Sequence, residues 1–173
     1  MTPVLVTSRL SLRELTTSDC GFLRELMNEP AYIANIGDRG VRSDQQAEQY
    51  IEEKYVASYA RHGYGLYLVE LKPDAQAVGI CGLVRRDALE HPDLGFAYLQ
   101  RYWSRGFAAE AATAVLAHAR DGLSLAQIDA VVSPDNVRSI RLLGRLGFRY
   151  ARTMRLPGMA LDSQIYESDL KPA

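Results

Sequence analysis

The stretch that most restricts the fold is Asp93 to Ala119, which reads strand, tight turn, helix. Leu94, Phe96 and Tyr98 alternate with Asp93, Gly95 and Ala97, the period of a strand that runs on to Leu99. Trp103-Ser104-Arg105-Gly106 then turns the chain into an alanine-rich helix expected from about Ala108 to Ala119. Ser104, Gly106 and Ala108 keep the corner free of bulk. The first N–H groups of a helix have no partner within it and lie at the positive end of its dipole. Such a corner suits a pyrophosphate, with Arg105 adding charge at its rim. The same residues also fit a plain glycine turn. GxGxxG and GKS/T are both missing, which disfavours those two nucleotide-binding classes.

A second helix start lies further on. Pro134, Asp135 and Asn136 open it, and Gly147-Phe148 closes it. Asn136 and Ser139 are one turn apart and share a face. Capping of the helix by Asn136, with Ser139 bonding its own backbone, explains the same pattern without any ligand.

Around these two signals the chain reads β-α-α-β-β-β-α-β-α-β-β. Leu5 to Leu15 alternates as a strand, and Thr17-Ser18-Asp19 caps a helix carrying Phe22, Leu23, Leu26 and Met27. Pro30 follows that helix. Asp44 to Arg61 is a second helix, with Tyr50, Ile51, Tyr55 and Tyr59 near a spacing of four. Gly65 to Leu71 and Ala77 to Val84 form a hairpin; Ile128 to Val132 is a short buried strand. Phe148 to Thr153 and about Met159 to Leu170 close the chain as strands. The order implies an α/β (α+β mixed) fold with a mixed central sheet of about seven strands flanked by helices.

At 173 residues with no linker-like or repeated stretch, residues 1–173 are expected to form one domain. A net charge of −1 gives no general pull toward nucleic acid or an anionic membrane. No apolar run reaches membrane-spanning length and no signal-peptide core opens the chain, so a cytoplasmic location is expected. Cys20 and Cys81 are far apart, and His62, His91 and His118 show no ligand spacing, so no metal is expected.

The two signals together resemble the GNAT superfamily of Gcn5-related N-acetyltransferases, and most of all its RimJ/RimL-like branch. The family signature Gln/Arg-x-x-Gly-x-Gly/Ala is matched by Trp103-Ser104-Arg105-Gly106-Phe107-Ala108, and Asn-x-x-Ser followed by Gly-Phe by Asn136, Ser139 and Gly147-Phe148. The opening Thr7 to Arg13 also looks like this branch's first strand. Trp103 stands for the usual Gln/Arg, as it does often in the branch, and Ser104 for a glycine. The tyrosine common in the family's Asn-helix falls on Leu143.

The resemblance implies an N-acetyltransferase using acetyl-CoA as cosubstrate, with its fourth and fifth strands, Asp93 to Leu99 and Ile128 to Val132, splayed around the pantetheine arm. That arm would pair with backbone groups of Ala97, Tyr98 and Leu99, the N–H near Leu99 reaching the thioester oxygen. The pyrophosphate would sit on the amides of Ser104, Arg105, Gly106, Phe107 and Ala108, with Trp103 alongside, and Asn136 would bond the pantetheine or a bridging water. Ser139 would serve the leaving sulfur and Asp93 would act as general base, with Glu90 and His91 as nearby competitors. Glu110 reads as structural, and Arg85-Arg86 as a solvated pair. The acceptor would be a primary amine, on a protein N-terminus or a small molecule, shaped by the first two helices and the polar, glycine-rich Asn35 to Arg42. The missing tyrosine at Leu143 leaves a second reading, a coenzyme A-binding module without catalysis. A homodimer through the last strands fits the same pattern.

Overall fold

The computed structural model describes residues 2–159 and 161–170; residue 1 and residues 171–173, the ends of the expected domain, lie outside them. Eight strands form one sheet in the order β1-β2-β3-β4-β5-β6-β8-β7. They are β1 (Leu5–Val6), β2 (Leu10–Arg13), β3 (Leu66–Leu71), β4 (Gln76–Val84), β5 (Asp93–Tyr98), β6 (Gln127–Val132), β7 (Arg149–Met154) and β8 (Ser163–Asp169). The eighth strand arises where one was expected between Leu5 and Leu15. Thr7 N–H donates to Leu10 O at 2.9 Å, and Leu10 N–H donates back to Thr7 Oγ1 at 3.0 Å. That turn folds the segment into two short antiparallel strands, with Leu5 opposite Leu12.

The helices are α1 (Cys20–Met27), α2 (Pro30–Ile36), α3 (Asp44–Tyr50), α4 (Ala57–His62), α5 (Phe107–Asp121) and α6 (Val137–Arg145). Pro30 follows α1, as expected, and opens α2, a helix that was not expected. Proline suits the first helical position because the N–H it lacks would have no partner there. Asn35 and Ile36 are therefore helical. The run expected from Asp44 to Arg61 contains a π-helical stretch, Ile51–Val56, between α3 and α4. Ser43 caps it, its hydroxyl accepting from Gln46 N–H at 3.2 Å. Leu68, Ile80, Leu94, Leu99, Val115 and Ile128 are among the buried residues that join sheet and helices in one core.

What places the site is a break in the sheet. β4 and β5 are aligned over six residue pairs, and so are β6 and β8. Between the parallel strands β5 and β6 the alignment holds at one pair, Asp93 and Asp129. Beyond it the two strands diverge, and polar backbone edges face each other without pairing.

Candidate active site

The register decides which backbone groups line this split. Leu99 N–H donates to Val78 O at 3.1 Å, so Leu99 and Val78 are a hydrogen-bonded pair of the antiparallel β4–β5 ladder. Hydrogen-bonded pairs alternate along such a ladder. The N–H and C=O groups of Asp93, Gly95, Ala97 and Leu99 therefore point to β4. Those of Leu94, Phe96 and Tyr98 point toward β6. Tyr98 O already accepts the Trp103 indole N–H at 2.8 Å. Phe96, with both its groups, and the Tyr98 N–H are thus the open edge of β5. Of the three residues expected to pair along the cleft, only Tyr98 offers a free backbone donor. The Leu99 N–H expected at the thioester oxygen is spent within the sheet.

At the far end of β5 the chain passes through a single 3-10 turn, Gln100–Tyr102, into the corner before α5. Gly106 has φ +81° and Ser104 φ +61°, so the corner holds two left-handed residues. This conformation costs glycine nothing, whereas serine adopts it at roughly 1 kcal/mol. It turns successive N–H groups outward. The first amide of α5 to find a backbone acceptor is Glu110 N–H, on Gly106 O at 3.1 Å. Among the described residues, the amides from Ser104 to Ala109 donate to no protein acceptor. Trp103 braces the corner from below. Its indole N–H holds the end of β5, and the Arg138 guanidinium lies over its ring at 5.2 Å.

Glu110 is structural. It accepts from Thr7 Oγ1 at 2.5 Å, Ser8 Oγ at 3.0 Å, Arg9 N at 2.9 Å and Arg9 Nε at 2.7 Å. Burial pushes its carboxyl up, but these donors outweigh that and hold it at about 2. Arg9 also donates to Arg105 O at 3.0 Å, tying the β1–β2 turn to the corner.

α6 forms the opposite lip. Asn136 caps it, its Oδ1 accepting from Ser139 N–H at 3.1 Å. The capping explanation of this motif is therefore realised, and the Asn136 side-chain NH2 makes no hydrogen bond among the described residues. The Ser139 hydroxyl has no hydrogen bond among the described residues. Leu143, at the family's tyrosine position, is buried.

Two cavities, of about 600 and about 570 Å³, meet at the split. Both are lined by Phe96, Ala97, Asn136 and Ser139. The first continues past Trp103, Ser104, Gly106, Phe107 and Ala108. The second continues past Asp93 and Leu143 toward α3 and α4. The expected site residues thus divide into a corner group and an acid, with Asn136 and Ser139 at the junction. Glu90 and His91 are not among the residues lining either cavity.

Asp93 is 1% exposed, and Arg86 Nε donates to its Oδ1 at 2.9 Å. Burial pushes the carboxyl up to about 6, against the pull of Arg86 and with help from the charge of Asp129. Asp129 is equally buried, and its Oδ1 has no partner among the described residues. Burial raises its pKa too, the charge of His91 opposing the shift. Arg86 is therefore no solvated loop residue. Aligning the two strands of the β4–β5 hairpin, which pairs Val84 with Asp93, places it beside the acid.

Three more arginines escaped the sequence reading. Arg138, Arg141 and Arg145 all line the larger cavity, and none holds a carboxylate among the described residues. Their spacing of three and four along α6 puts them on one face, a signal that was present in the sequence.

A mixed sheet split between two parallel strands, with open helix-start amides at one end of the split and a buried acid at the other, defines an acyltransferase of the acetyltransferase type. Residues 9–149 match the model of the acetyltransferase (GNAT) domain, and the chain belongs to that family. It is 28% identical over 178 residues to YoaA of Bacillus subtilis, described as an uncharacterized N-acetyltransferase, covering 99% of both chains. It is 26% identical over 153 residues to the uncharacterized N-acetyltransferase p20 of Bacillus licheniformis, covering 87% of this chain and 85% of that one. An acetyltransferase from Agrobacterium tumefaciens shares the fold with a TM-score of 0.79 and 25% identity, over 97% and 95% of the two chains. RimL, the ribosomal L7/L12 alpha-N-protein acetyltransferase solved with coenzyme A, superposes with a TM-score of 0.81 over 97% and 98% at 17% identity, a likeness of fold.

Proposed function

We propose that this acetyltransferase moves an acetyl group from acetyl-CoA to a primary amine, working as one domain. The observation that carries the proposal is the set of open amides from Ser104 to Ala109 at the end of the split. Buried or ligand-facing N–H groups need acceptors, and a diphosphate supplies them at a helix start. Arg138, Arg141 and Arg145 offer charge to the remaining phosphate oxygens. The open edge of β5 at Phe96 and Tyr98 gives an extended amide-bearing arm backbone partners, much as another strand would.

When bound, acetyl-CoA supplies a thioester carbonyl for attack and a thiolate as leaving group. The chain's own residues do the rest. Asp93, with a carboxyl near 6, is ionised at neutral pH yet basic enough to draw a proton from an incoming ammonium. An unpaired N–H of the β5 edge, on Phe96 or Tyr98, would be the donor for the carbonyl oxygen as it gains charge, an interaction worth about 3 kcal/mol. Ser139, whose hydroxyl is uncommitted, donates to the departing sulfur. The reaction is proposed to be cytoplasmic; no helix among the described residues is long and apolar enough to cross a membrane.

The test is thiol release from acetyl-CoA across a panel of amines and peptides, beside thermal shift on adding acetyl-CoA. Amine-dependent release together with stabilisation is expected. Stabilisation without release from any amine would establish the non-catalytic reading instead, and neither effect would remove the coenzyme altogether.

A further inference from the structure

Among the described residues, nine arginines hold a carboxylate in a salt bridge: Arg9, Arg13, Arg24, Arg42, Arg86, Arg101, Arg120, Arg152 and Arg155. The arginines without one, among the described residues, are not scattered. Arg105 stands in the corner before α5, and Arg138, Arg141 and Arg145 line the larger cavity, where the phosphates of the proposed coenzyme would take them up. Arg39, Arg61 and Arg85 all line the other cavity, beyond Asp93, together with the unpaired Lys54. Arg149 alone lies apart from both. Arg85 gives its Nη1 to the Glu90 carbonyl at 2.7 Å, a neutral acceptor that leaves its charge uncompensated.

The acids on that wall do not balance these cations. Asp93 is matched by Arg86. Glu53 and Asp87 are the other carboxylates lining it, and neither enters a salt bridge among the described residues. Four free cations thus face two free carboxylates. The chain as a whole carries a net charge of −1, so the excess is local. It comes from separate elements: Arg39 after α2, Lys54 in the π-helical stretch, Arg61 in α4 and Arg85 after β4.

We propose that the acceptor is an amine whose carrier bears an anionic group, a carboxylate or phosphate, close to the reacting nitrogen. The inference rests on the reading of this cavity as the acceptor side of an acetyl-CoA site. A bare ammonium would meet a wall with an excess of its own sign and be disfavoured. An acceptor with an anion beside the amine reverses the sign of the encounter, and arginine forks grip carboxylate and phosphate oxygens in pairs. The same field helps the amine lose its proton to Asp93, because positive neighbours disfavour an ammonium. A concave wall with an excess of one sign also concentrates the opposite charge, by about tenfold at low salt.

The test compares acceptors that differ in charge alone: the peptide amides Ser-Glu-Ala-Glu, Ser-Gln-Ala-Gln and Ser-Lys-Ala-Lys, and the free amines glutamate and glutamine amide. For each, kcat/KM is measured with saturating acetyl-CoA at about 0.05 M and about 0.5 M salt. The acidic member of the favoured series is expected to exceed the neutral one by about tenfold, with the basic one last. The advantage is expected to shrink at high salt and to fall toward unity in Arg39→Gln/Arg61→Gln. The peptide and free-amine arms decide whether the anion comes from a chain or a metabolite. Equal rates for the three charges, or preference for the basic peptide, would overturn the proposal. If no acceptor turns over, the same peptides carrying a dye at the C-terminus are titrated by anisotropy into the protein with coenzyme A. Tighter binding of the acidic peptide supports the charge selection without the catalytic reading, and equal binding removes it.

Discussion

Asp93 and Asp129 stand opposite each other at the one aligned pair that joins the parallel strands β5 and β6, both about 1% exposed, with Arg86 bonded to the first and, among the described residues, nothing to Oδ1 of the second. Two buried carboxylates with one directly bonded cation repel, and each raises the cost of ionising the other. Activity that needs the Asp93 carboxylate is expected to fall as pH drops through about 6. In Asp129→Asn that limb moves to lower pH, because one source of repulsion is gone. In Arg86→Gln it moves to higher pH. Profiles of kcat/KM against pH for the three proteins check both signs; shifts in the same direction would contradict this account. Asp93→Asn is expected to lose about a hundredfold in rate.

The same acid couples folding to pH. Its folded pKa, about 6, lies above the ordinary 3.8, so its contribution is most favourable below 3.8 and is lost as pH rises through 6. Asp93→Asn removes that dependence. Its melting temperature, relative to the natural protein, is expected to improve as pH rises across this window, by a differential of at most about 3 kcal/mol. Calorimetric melts at a series of pH values measure it.

Ser104 and Gly106 share the left-handed corner but predict opposite responses. Ser104→Gly removes the strain of φ +61° and is expected to stabilise by about 1 kcal/mol. Gly106→Ala forces a side chain into φ +81° and sets a methyl 3.3 Å from Arg9 Nη2. A loss of about 1–2 kcal/mol is expected, together with acetyl-CoA affinity at least about tenfold weaker, because the corner amides no longer hold their aim. Urea melts and calorimetric titration separate the two effects.

These residues show why parts of the site were legible in sequence and others were not. The corner could be read because left-handed turns favour glycine and small neighbours, and Trp103 to Ala108 carries both. Asn136 and Ser139 could be read because a cap and its partner are three residues apart. Local chemistry was enough in each case. Arg86 beside Asp93, and Asp129 opposite it, are relations between strands, visible only once residues are aligned across them. The same holds for the cleft edge, where register assigns Phe96 and Tyr98 rather than Ala97 and Leu99. The split of the first strand at Thr7 was hidden because the turn Thr7-Ser8-Arg9 has no glycine or proline. Pro30 follows the first helix as expected, but α2 went unread because proline marks a helix start as well as an end.

Glu110 binds the β1–β2 turn to α5 through four donors, two of them from Arg9. Glu110→Gln keeps the shape and removes the charge, and a loss of about 2 kcal/mol is expected at pH 7. The folded pKa of about 2 lies below the ordinary 4.5, so this stability is present above 4.5 and is lost as pH falls toward 2. The difference between variant and natural protein is therefore expected to close across that interval. A gap that stays constant would show that the charge is not what matters.

Asn136 and Ser139 separate structure from chemistry within a single turn. Asn136→Ala removes the acceptor of the Ser139 N–H and is expected to cost about 1 kcal/mol of stability, with weaker acetyl-CoA binding from a frayed α6. Ser139→Ala leaves that cap in place, since the bond uses the backbone N–H and not the hydroxyl. Its stability and its KM for acetyl-CoA are expected to hold while kcat falls about tenfold or more, the pattern of a contact made only as the sulfur departs. If leaving-group protonation is the step concerned, a thioester with a more acidic thiol should recover much of the lost rate. A Ser139→Ala enzyme with unchanged kcat would leave the hydroxyl no part in the reaction, and the sulfur would then take its proton from solvent.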